Sequence, residues 1–483
     1  HGVRSFSRSI TDFEELFRLF KYLEFKKFLK DLPFQEDKQG AVLLEVMEDS
    51  GLKDFLKKGD ELFLAQDNQE GLVFYAQNKF FRVSELGANI KDILEDPQIK
   101  KISHDLKKIK VSLSGSGIVL AGLYFDTMIA AYLLDPAKSG YGLPDLAWDY
   151  LGTRIQDASF DSQKAVALLH QIKPKLEKEL KDKQLYSLFS DLEMPLIEVL
   201  ASMQLNGIKL DLKVLARLSR DIEQRLVKLR EDIYGLSGTQ FNINSPKQLR
   251  DILFDKLKLP IVKRSKTGPS TDEEVLKNLA DKHKLPAYVL EYRQLMKLKT
   301  TYVDTLPTLA DKKTDRVHTS FNQTATETGR LSSSNPNLQN LPVKTDIGKI
   351  IRRAIISSSP KNYLVACDYS QIELRILAHL SGDQNLVSAF KQDMDIHRST
   401  ASLIYGLQEK DISEEMREVA KRVNFGIVYG LTSYGLSRDL GISAEEAQRF
   451  IDAYFLRYPK VKDYIQEQIK KAESEGFVTT ILG

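Results

Sequence analysis

The stretch Leu364-Val-Ala-Cys-Asp-Tyr-Ser-Gln-Ile-Glu-Leu-Arg375 places one carboxylate, Asp368, between an apolar run and a helical pattern. The apolar run predicts a buried strand, and the helical pattern carries Glu373 and Arg375 near its start. A carboxylate at the end of a buried strand can hold a hard cation such as Mg²⁺, because such cations prefer oxygen ligands. An Asp in this position more often caps the following helix. The neighbouring motifs decide between these two interpretations.

The bulk properties of the chain exclude several classes of protein. A length of 483 residues predicts about three domains. The formal charge is only +3, so any surface that binds nucleic acid has to be local. The single cysteine, Cys367, excludes an intramolecular disulfide framework and is typical of a reducing compartment. No apolar run approaches the ~20 residues that span a bilayer, so we expect a soluble chain with no membrane partner.

The apolar periodicity predicts an N-terminal α/β domain followed by a largely helical region. For the first domain it predicts a helix over 11–32, strands over 41–46, 60–65 and 72–76, a strand and helix within 119–135, and an end near residue 185. Beyond it, the pattern predicts helices over 188–236 with a break at Asn206-Gly207, a basic hairpin over 263–268 and a helix over 276–302. Residues 318–345 are predicted to be extended or loop-like, and alternating strands and helices follow them.

A second motif lies between Arg417 and Gly430. Arg417, Lys421, Phe425 and Tyr429 are spaced by four residues and share one face of a helix. Two cations followed by two aromatic rings suit a nucleoside triphosphate, with the charges on phosphate oxygens and the rings on sugar and base. A helix with a mixed, solvated surface is the commoner meaning of such a stripe. Two glycines, at 426 and 430, weaken the helix and indicate close approach of a ligand.

Both segments resemble the polymerase motifs of the family A DNA polymerases, the bacterial DNA polymerase I group. Further segments resemble other motifs of this family in the correct order: Phe241–Leu249 and Tyr292–Lys299 of the thumb, Thr326–Asn340 of the primer-template segment, and the Asp395-Ile-His397 motif that contacts the triphosphate. The resemblance is strong over residues 190–483 and weaker over 12–185.

The resemblance implies an α/β and α+β multidomain fold. A ribonuclease H-like 3′-5′ exonuclease-type domain would precede a right-hand polymerase domain with thumb, partial palm and fingers. The implied boundaries are 1–36 for a linker after an absent 5′-nuclease domain, 37–186 for the exonuclease-like domain, 187–310 for the palm start and thumb, 311–380 for the palm and 381–483 for the fingers. We therefore expect a chain truncated at both ends, without the His-Asp-Glu motif that supplies the second catalytic carboxylate.

The resemblance also implies roles for individual residues. Asp368 would hold catalytic Mg²⁺ with help from the Tyr369 carbonyl, and Glu373 would exclude a ribose 2′-OH. The residues expected at the incoming nucleotide are Arg352, Gln371, Glu373, His397, Arg417, Lys421, Phe425 and Tyr429, with Arg417 and Lys421 also counted as catalytic. The residues expected at the DNA are Arg330, Asn337 and Gln339, together with the hairpin cations Lys263, Arg264 and Lys266, whose charges could equally be only solvated.

The exonuclease-like region departs from the acidic motifs of proofreading relatives. The segment Ala41–Met47 keeps at most one acid, Glu45, and in another register of the strand Glu45 points to the opposite face. In the second motif Ile109 stands where proofreading relatives have an acid. In the third motif Asp161 or Ser162 stands about where the last acid would be. A site that binds metals through carboxylates should not work with apolar residues in those positions. We therefore expect the fold without proofreading.

The function implied is a DNA-directed DNA polymerase of replication and repair that uses two metal ions. Its partners would be primer-template DNA and deoxynucleoside triphosphates, with the chain a monomer in the cytoplasm, associated with the nucleoid. Two alternatives stay open, a DNA-binding remnant without catalysis and a 3′-5′ exonuclease. A host that is a bacterium and one that is a phage are equally compatible with the sequence.

Overall fold

The computed structural model describes residues 56–66, 71–83, 85–153, 161–266, 268–343 and 345–482, together with Glu45–Val46 and a few isolated positions. The chain divides into two compact units, an N-terminal unit of residues 1–364 and a C-terminal unit of residues 365–483. The predicted helix over 11–32 lies largely outside the described residues. Within the described part, no helix is both long enough and apolar enough to cross a membrane.

A six-stranded sheet begins the N-terminal unit. Its strands stand in the order β1-β4-β3-β2-β5-β6, with β2, β3 and β4 antiparallel and β5 and β6 parallel to β2. Large side chains such as Phe63, Phe74 and Phe125 are buried and hold the sheet against its helices. The strands are β1 (Glu45–Val46), β2 (Glu61–Gln66), β3 (Leu72–Ala76), β4 (Lys79–Val83), β5 (Lys100–Ser103) and β6 (Leu123–Asp126).

Strand β2 lies in the interior of the sheet, next to β5. Of the segment 41–47, the structure describes only β1, which pairs with β4 at the edge of the sheet. Strand β2 pairs with β3 on one side and β5 on the other, and its one acid, Glu61, lies 2.8 Å from the Lys173 ammonium. Pairing partners decide the order of strands, and apolar runs of similar composition do not reveal them. The described residues of the 41–47 segment therefore lie at the edge of the sheet, and β2 takes the interior position beside β5.

The buried carboxylate of Asp126 joins the end of β6 to two helices. Its Oδ1 accepts hydrogen bonds from the backbone N–H of Met128 at 2.9 Å and of Ile129 at 3.3 Å, and its Oδ2 accepts one from Leu106 at 2.6 Å. Burial raises the pKa of Asp126 to about 7, although these N–H donors act to lower it. One carboxylate thus satisfies the first N–H groups of two helices. The helices of this region are α1 (Ala88–Glu95), α2 (Leu106–Ser114), α3 (Thr127–Leu134), α4 (Leu143–Leu151) and α5 (Ser162–Asp182).

A long helical region follows, as the periodicity predicts. The Asp211 carboxylate accepts hydrogen bonds from the N–H groups of Lys213 and Val214 and so begins the 26-residue helix α7. The break at Gly207 has a steric cause, since its φ is +57° and a Cβ there would lie 2.6 Å from the Val317 carbonyl oxygen. The helices are α6 (Met194–Asn206), α7 (Leu212–Ser237), α8 (Pro246–Arg250), α9 (Glu273–Ala280), α10 (Lys284–Leu298), α11 (Thr305–Leu309) and α12 (Asp346–Arg353).

Short antiparallel strands connect these helices. A three-stranded sheet has the order β10-β7-β13, and two hairpins pair β8 with β9 and β11 with β12. The β8-β9 hairpin confirms the predicted basic hairpin, and the β11-β12 hairpin confirms extended structure within 318–345. The strands are β7 (Ile208–Leu210), β8 (Arg264–Ser265), β9 (Gly268–Pro269), β10 (Arg316–Val317), β11 (Ser320–Asn322), β12 (Ser332–Ser334) and β13 (Ile355–Ile356).

Side chains of the sheet domain and of helix α6 hold the β11 region in place. The Tyr132 hydroxyl donates to the Thr326 carbonyl at 2.8 Å, and the Gln323 amide donates to the Glu193 carboxylate at 2.9 Å. From α6, the Gln204 amide donates to the Ser320 hydroxyl at 3.3 Å. The segment expected to meet primer-template is therefore anchored to the domain that precedes it.

In the described residues of the C-terminal unit, all regular secondary structure is helical. This corrects the expectation of alternating strands and helices, because its apolar positions recur at helical spacing and pack into one cluster that includes Leu374, Ile396, Val423 and Tyr454. The helices are α13 (Ile372–Ser381), α14 (Gln384–Lys391), α15 (Ile396–Tyr405), α16 (Glu414–Val428), α17 (Ser433–Leu440), α18 (Ala444–Arg457) and α19 (Pro459–Glu475).

The predicted buried strand before Asp368 is wrong. Residues 362–369 have no regular secondary structure, and all of them are exposed. Tyr363 and Val365 are 90% and 83% exposed. A strand exists only where another strand satisfies its backbone groups, and none of the described residues pairs with this segment. The apolar composition is real, but the sheet that would bury it is not formed by the described residues.

Candidate nucleotide site

Helix α16 carries the stripe that the sequence predicts. Ser413 caps the helix by accepting a hydrogen bond from the Met416 N–H at 3.3 Å, and Glu414 and Glu415 lie in its first turn. The opposite face, with Ala420, Val423 and Ile427, is buried.

The two aromatic side chains of the stripe differ in exposure. Phe425 is half-buried, whereas Tyr429 at the end of the helix is 60% exposed. The stripe therefore presents its groups in sequence order, cations first and aromatic rings after them.

An ion pair fixes the Arg417 guanidinium against helix α15. Its Nε lies 2.6 Å from Oδ2 of Asp395, while Oδ1 of the same carboxylate accepts hydrogen bonds from the N–H groups of His397 and Arg398. Burial pushes the pKa of Asp395 upward, but the hydrogen bonds from Arg417 and Arg398 outweigh it and leave the pKa below its ordinary value. Lys421 is less constrained, with its ammonium 3.8 Å from the Glu418 carboxylate.

His397 is buried beside this stripe. Its ring lies 5.8 Å from the Phe425 ring, centroid to centroid, and its Nδ1 is 2.9 Å from the Asn424 amide nitrogen. The hydroxyl of Thr400 donates to Oδ1 of Asn424 at 3.1 Å. Burial, followed by the charge of Arg417, lowers the pKa of His397 to about 4, so its imidazole is neutral at pH 7.

The start of helix α13 adds a carboxylate to the end of the stripe. The Tyr429 hydroxyl donates to Oε1 of Glu373 at 2.7 Å. Gln371 begins α13 with a left-handed backbone (φ 52°), and Asp368 and Tyr369 precede it on the exposed segment. Asp368 therefore does not cap α13, since Gln371 holds that position and the cap has no side-chain hydrogen bond.

Two glycines of the motif have structural roles. A Cβ at Gly426 would lie 3.2 Å from the Leu431 side chain, and Gly430 has a φ of +69° just past the end of the helix. The expectation that these glycines indicate close approach of a ligand stays a prediction, because the contact at Gly426 and the positive φ of Gly430 already give both positions a structural role.

The residues expected at DNA lie in the N-terminal unit. Asn337 and Gln339 fold the loop after β12: Asn337 Oδ1 accepts from the Ser333 hydroxyl at 3.1 Å, and the Gln339 amide donates to the Leu331 carbonyl at 3.0 Å. Arg330 is exposed in the turn between β11 and β12. These three residues belong to one surface segment.

The hairpin cations differ in their surroundings. The Lys263 ammonium lies 2.9 Å from both Asp272 and Glu274, and these two carboxylates raise its pKa, with Asp272 the larger cause. Arg264 and Lys266 are exposed. Lys263 is therefore the least available of the three for a phosphate.

The remaining predicted residues belong to the N-terminal unit. Arg352 is exposed on α12 of the N-terminal unit. In the sheet domain, Ile109 is buried within α2, and Asp161 caps α5 by accepting a hydrogen bond from the Lys164 N–H at 2.8 Å. Ser162 is buried in the first turn of the same helix.

Asn424 and Thr400 are the site residues that the sequence motifs did not reveal. Asn424 falls on the buried face of α16, between Val423 and Ile427, where an apolar residue is expected. A polar side chain on an apolar face needs a buried hydrogen-bond partner, and that signal was present in the sequence.

Two family models match this chain. A family model described as DNA polymerase family A matches residues 212–483, and one described as the ribonuclease H-like domain of DNA polymerase I matches residues 60–163. The two together define a polymerase domain preceded by an exonuclease-type domain. The chain belongs to DNA polymerase family A.

The relatives of this chain and a solved structure agree with the family assignment. The chain is 41% identical to DNA polymerase I of Caldicellulosiruptor bescii over 97% of this chain and 56% of that protein. It is 42% identical to DNA polymerase I of Bacillus subtilis over 81% of this chain and 47% of that protein. The chain thus spans about half the length of these relatives. The POL domain of Pol1 from M. smegmatis, in complex with DNA primer-template and dNTP, superposes with a TM-score of 0.82 at 33% identity, covering 91% of this chain and 81% of that one.

The burial of neutral His397 predicts a pH-dependent stability. Because the folded pKa of about 4 lies below the ordinary 6.5, the unfolded chain takes up this proton first as the pH falls. The contribution is complete above pH 6.5 and is lost between pH 6.5 and 4, by up to about 3 kcal/mol. Urea unfolding of the C-terminal unit, followed at several pH values, should show this loss, and H397Q should reduce it. An equal slope in H397Q and wild type would contradict the assignment.

Proposed function

We propose that this chain is the polymerase portion of a DNA-directed DNA polymerase that adds deoxynucleotides to a primer 3′ end. The observation that carries the proposal is the α16 stripe, in which Arg417, Lys421, Phe425 and Tyr429 share one helix face beside His397. Membership of the family and the likeness to a polymerase domain solved with primer-template and dNTP support the same function. Replication and repair are the processes that such an activity serves.

Each group of the stripe suits one part of a nucleotide. Arg417 and Lys421 would hold the triphosphate oxygens and offset the charge that builds on the departing pyrophosphate. Phe425 and Tyr429 would pack on the sugar and base. The Glu373–Tyr429 hydrogen bond of 2.7 Å would hold a carboxylate where a ribose 2′-OH would otherwise fit.

The primer 3′-oxygen would attack the α-phosphorus in line with the leaving pyrophosphate. Mg²⁺ usually binds one or two carboxylates together with substrate phosphates, and the exposed Asp368 carboxylate and Tyr369 carbonyl fit the protein part of that ligand set. Two bound ions would stabilise the attacking and leaving oxygens. Asp368 and Tyr369 would orient that end of the substrate, and Gln371 would begin the helix that carries Glu373.

The DNA contacts we propose are non-specific. Arg330, Asn337 and Gln339 lie on one surface segment of the N-terminal unit, and Arg264 and Lys266 project from the β8-β9 hairpin. The arginine and lysine side chains among them would bind backbone phosphates without reading the base sequence. For Arg352 the role that we propose is a contact with the triphosphate, as the resemblance to the family implies.

Replacing Lys421 tests the nucleotide site directly. K421A should weaken binding of dATP to this chain by tenfold or more, because one cation–phosphate contact is lost. The matched control is K462A, an exposed lysine on α19 of the same unit, which should bind dATP as the wild type does. Equilibrium binding with a fluorescent dATP measures both. Equal affinities in K421A and K462A would refute the site.

Replacing Glu373 tests sugar selection. In E373A the carboxylate that contacts Tyr429 is gone, so ATP should compete with dATP at least tenfold better than it does in wild type. E373Q keeps the size of the side chain and should keep most of the discrimination. The measurement is competition binding, with primer extension as a second readout where the chain is active. If E373A still discriminates as wild type does, Glu373 does not exclude the 2′-OH.

We also propose that the ribonuclease H-like domain does not proofread. Ile109 is buried and apolar, Asp161 is used as a helix cap, and the Glu61 carboxylate is paired with Lys173. Incubation with 5′-labelled single-stranded DNA and Mg²⁺ or Mn²⁺ should therefore leave the DNA intact. Shortening from the 3′ end that disappears in E61Q or D161N would establish the exonuclease alternative instead.

Formation of a ternary complex with DNA and nucleotide separates the polymerase from a DNA-binding remnant. The remnant would bind primer-template yet show no preference for the correctly paired deoxynucleotide. A ternary complex that forms only with the templated dNTP supports the polymerase, and its absence at saturating DNA would favour the remnant.

A further inference from the structure

A line of buried polar side chains runs from Thr400 through Asn424 to His397. The Thr400 hydroxyl donates to Asn424 Oδ1 at 3.1 Å, and the Asn424 amide nitrogen lies 2.9 Å from His397 Nδ1. Thr400 and Asn424 are fully buried, and His397 is 3% exposed. Buried polar groups of this kind are costly unless they are hydrogen-bonded, so the line defines one arrangement.

The order of donors in this line fixes the imidazole tautomer. Because the Thr400 hydroxyl donates to Asn424 Oδ1, the other end of the amide, the Nδ2 group, faces the ring. An amide N–H can only donate, so His397 Nδ1 has to accept. A neutral imidazole with an acceptor at Nδ1 carries its proton on Nε2.

We propose that Asn424, held by Thr400, is a positioning residue that keeps His397 in the tautomer with its proton on Nε2, so that the ring offers a neutral N–H donor to a triphosphate oxygen. This inference rests on the proposed function, since His397 is one of the residues assigned to the triphosphate.

The charges around His397 agree with a neutral donor. Arg417 and Lys421 from α16 oppose a proton on the ring, and Asp395 at the start of α15 and Glu418 favour one. Asp395 is already engaged by Arg417 and two backbone N–H groups. With burial added, the pKa of His397 falls to about 4, which leaves the ring uncharged at neutral pH.

A carboxylate at position 424 should reverse the arrangement. In N424D the side chain can only accept, so it would draw the proton to Nδ1 and favour the imidazolium form. At low pH the imidazolium still donates from Nε2. At high pH the neutral ring would present a bare Nε2 lone pair to phosphate oxygens, and binding should weaken.

Two measurements on this chain test the proposal. The first is the ¹⁵N spectrum of the histidine rings at pH 7, with the His397 signals identified by their loss in H397Q. The second is the ratio of dATP dissociation constants, N424D to wild type, between pH 7 and pH 9. The matched control is S437A, which removes another nearly buried hydroxyl of the same unit, one that donates to the Tyr434 carbonyl.

The expected results are a proton on Nε2 in wild type and S437A, and a proton on Nδ1 in N424D. The dissociation-constant ratio should rise with pH to about tenfold or more at pH 9, because a hydrogen bond to a charged group is replaced by repulsion. S437A should give a ratio near one at every pH. T400V, which removes only the hydroxyl that orients Asn424, serves if N424D does not fold, and it should lower both the share of the Nε2–H tautomer and the affinity.

A proton on Nδ1 in wild type would overturn the proposal. So would a ratio that does not change with pH in N424D, because a merely structural Asn424 would weaken binding equally at all pH values. Failure of wild type to bind dATP at all would instead refute the proposed function, and the spectrum would still show whether Asn424 sets the tautomer.

Discussion

The candidate nucleotide site depends on the ion pair and hydrogen bonds of the Asp395 carboxylate. One oxygen begins helix α15 by accepting two backbone N–H groups, and the other holds the Arg417 guanidinium of α16 at 2.6 Å. The two helices therefore share one anchor at the end that carries His397. Without it, the Arg417 side chain would have no fixed partner, and the cationic end of the stripe would lose its direction relative to the ring of His397.

The sequence predicted the parts of this arrangement that depend on local pattern. Helical spacing placed Arg417, Lys421, Phe425 and Tyr429 on one face of α16, and the structure has that helix from Glu414 to Val428. The break at Gly207 was visible as well, because a turn that needs a left-handed backbone favours glycine. Family and fold class followed from the order of the motifs. Residue roles in catalysis and the domain boundaries stay predictions.

Features that depend on contacts between residues distant in sequence could not be predicted from the local sequence pattern. The run before Asp368 has the composition of a strand, yet no described residue pairs with it, so it lies exposed. The place of β2 in the sheet is decided by β3 and β5, which are remote in sequence. The hydrogen bond between Asn424 and His397 joins residues 27 positions apart, and only helix packing brings them together.

The sheet domain supports the β11 region through hydrogen bonds. Tyr132 and Glu193 lie before the region matched by the polymerase family model, yet each bonds to a residue of the 320–327 segment within it. The sheet domain therefore supports the β11 region through these contacts, whatever chemistry the domain itself carries out. An engineer who trims the chain to residues 212–483 would remove both of these supports and would have to replace them.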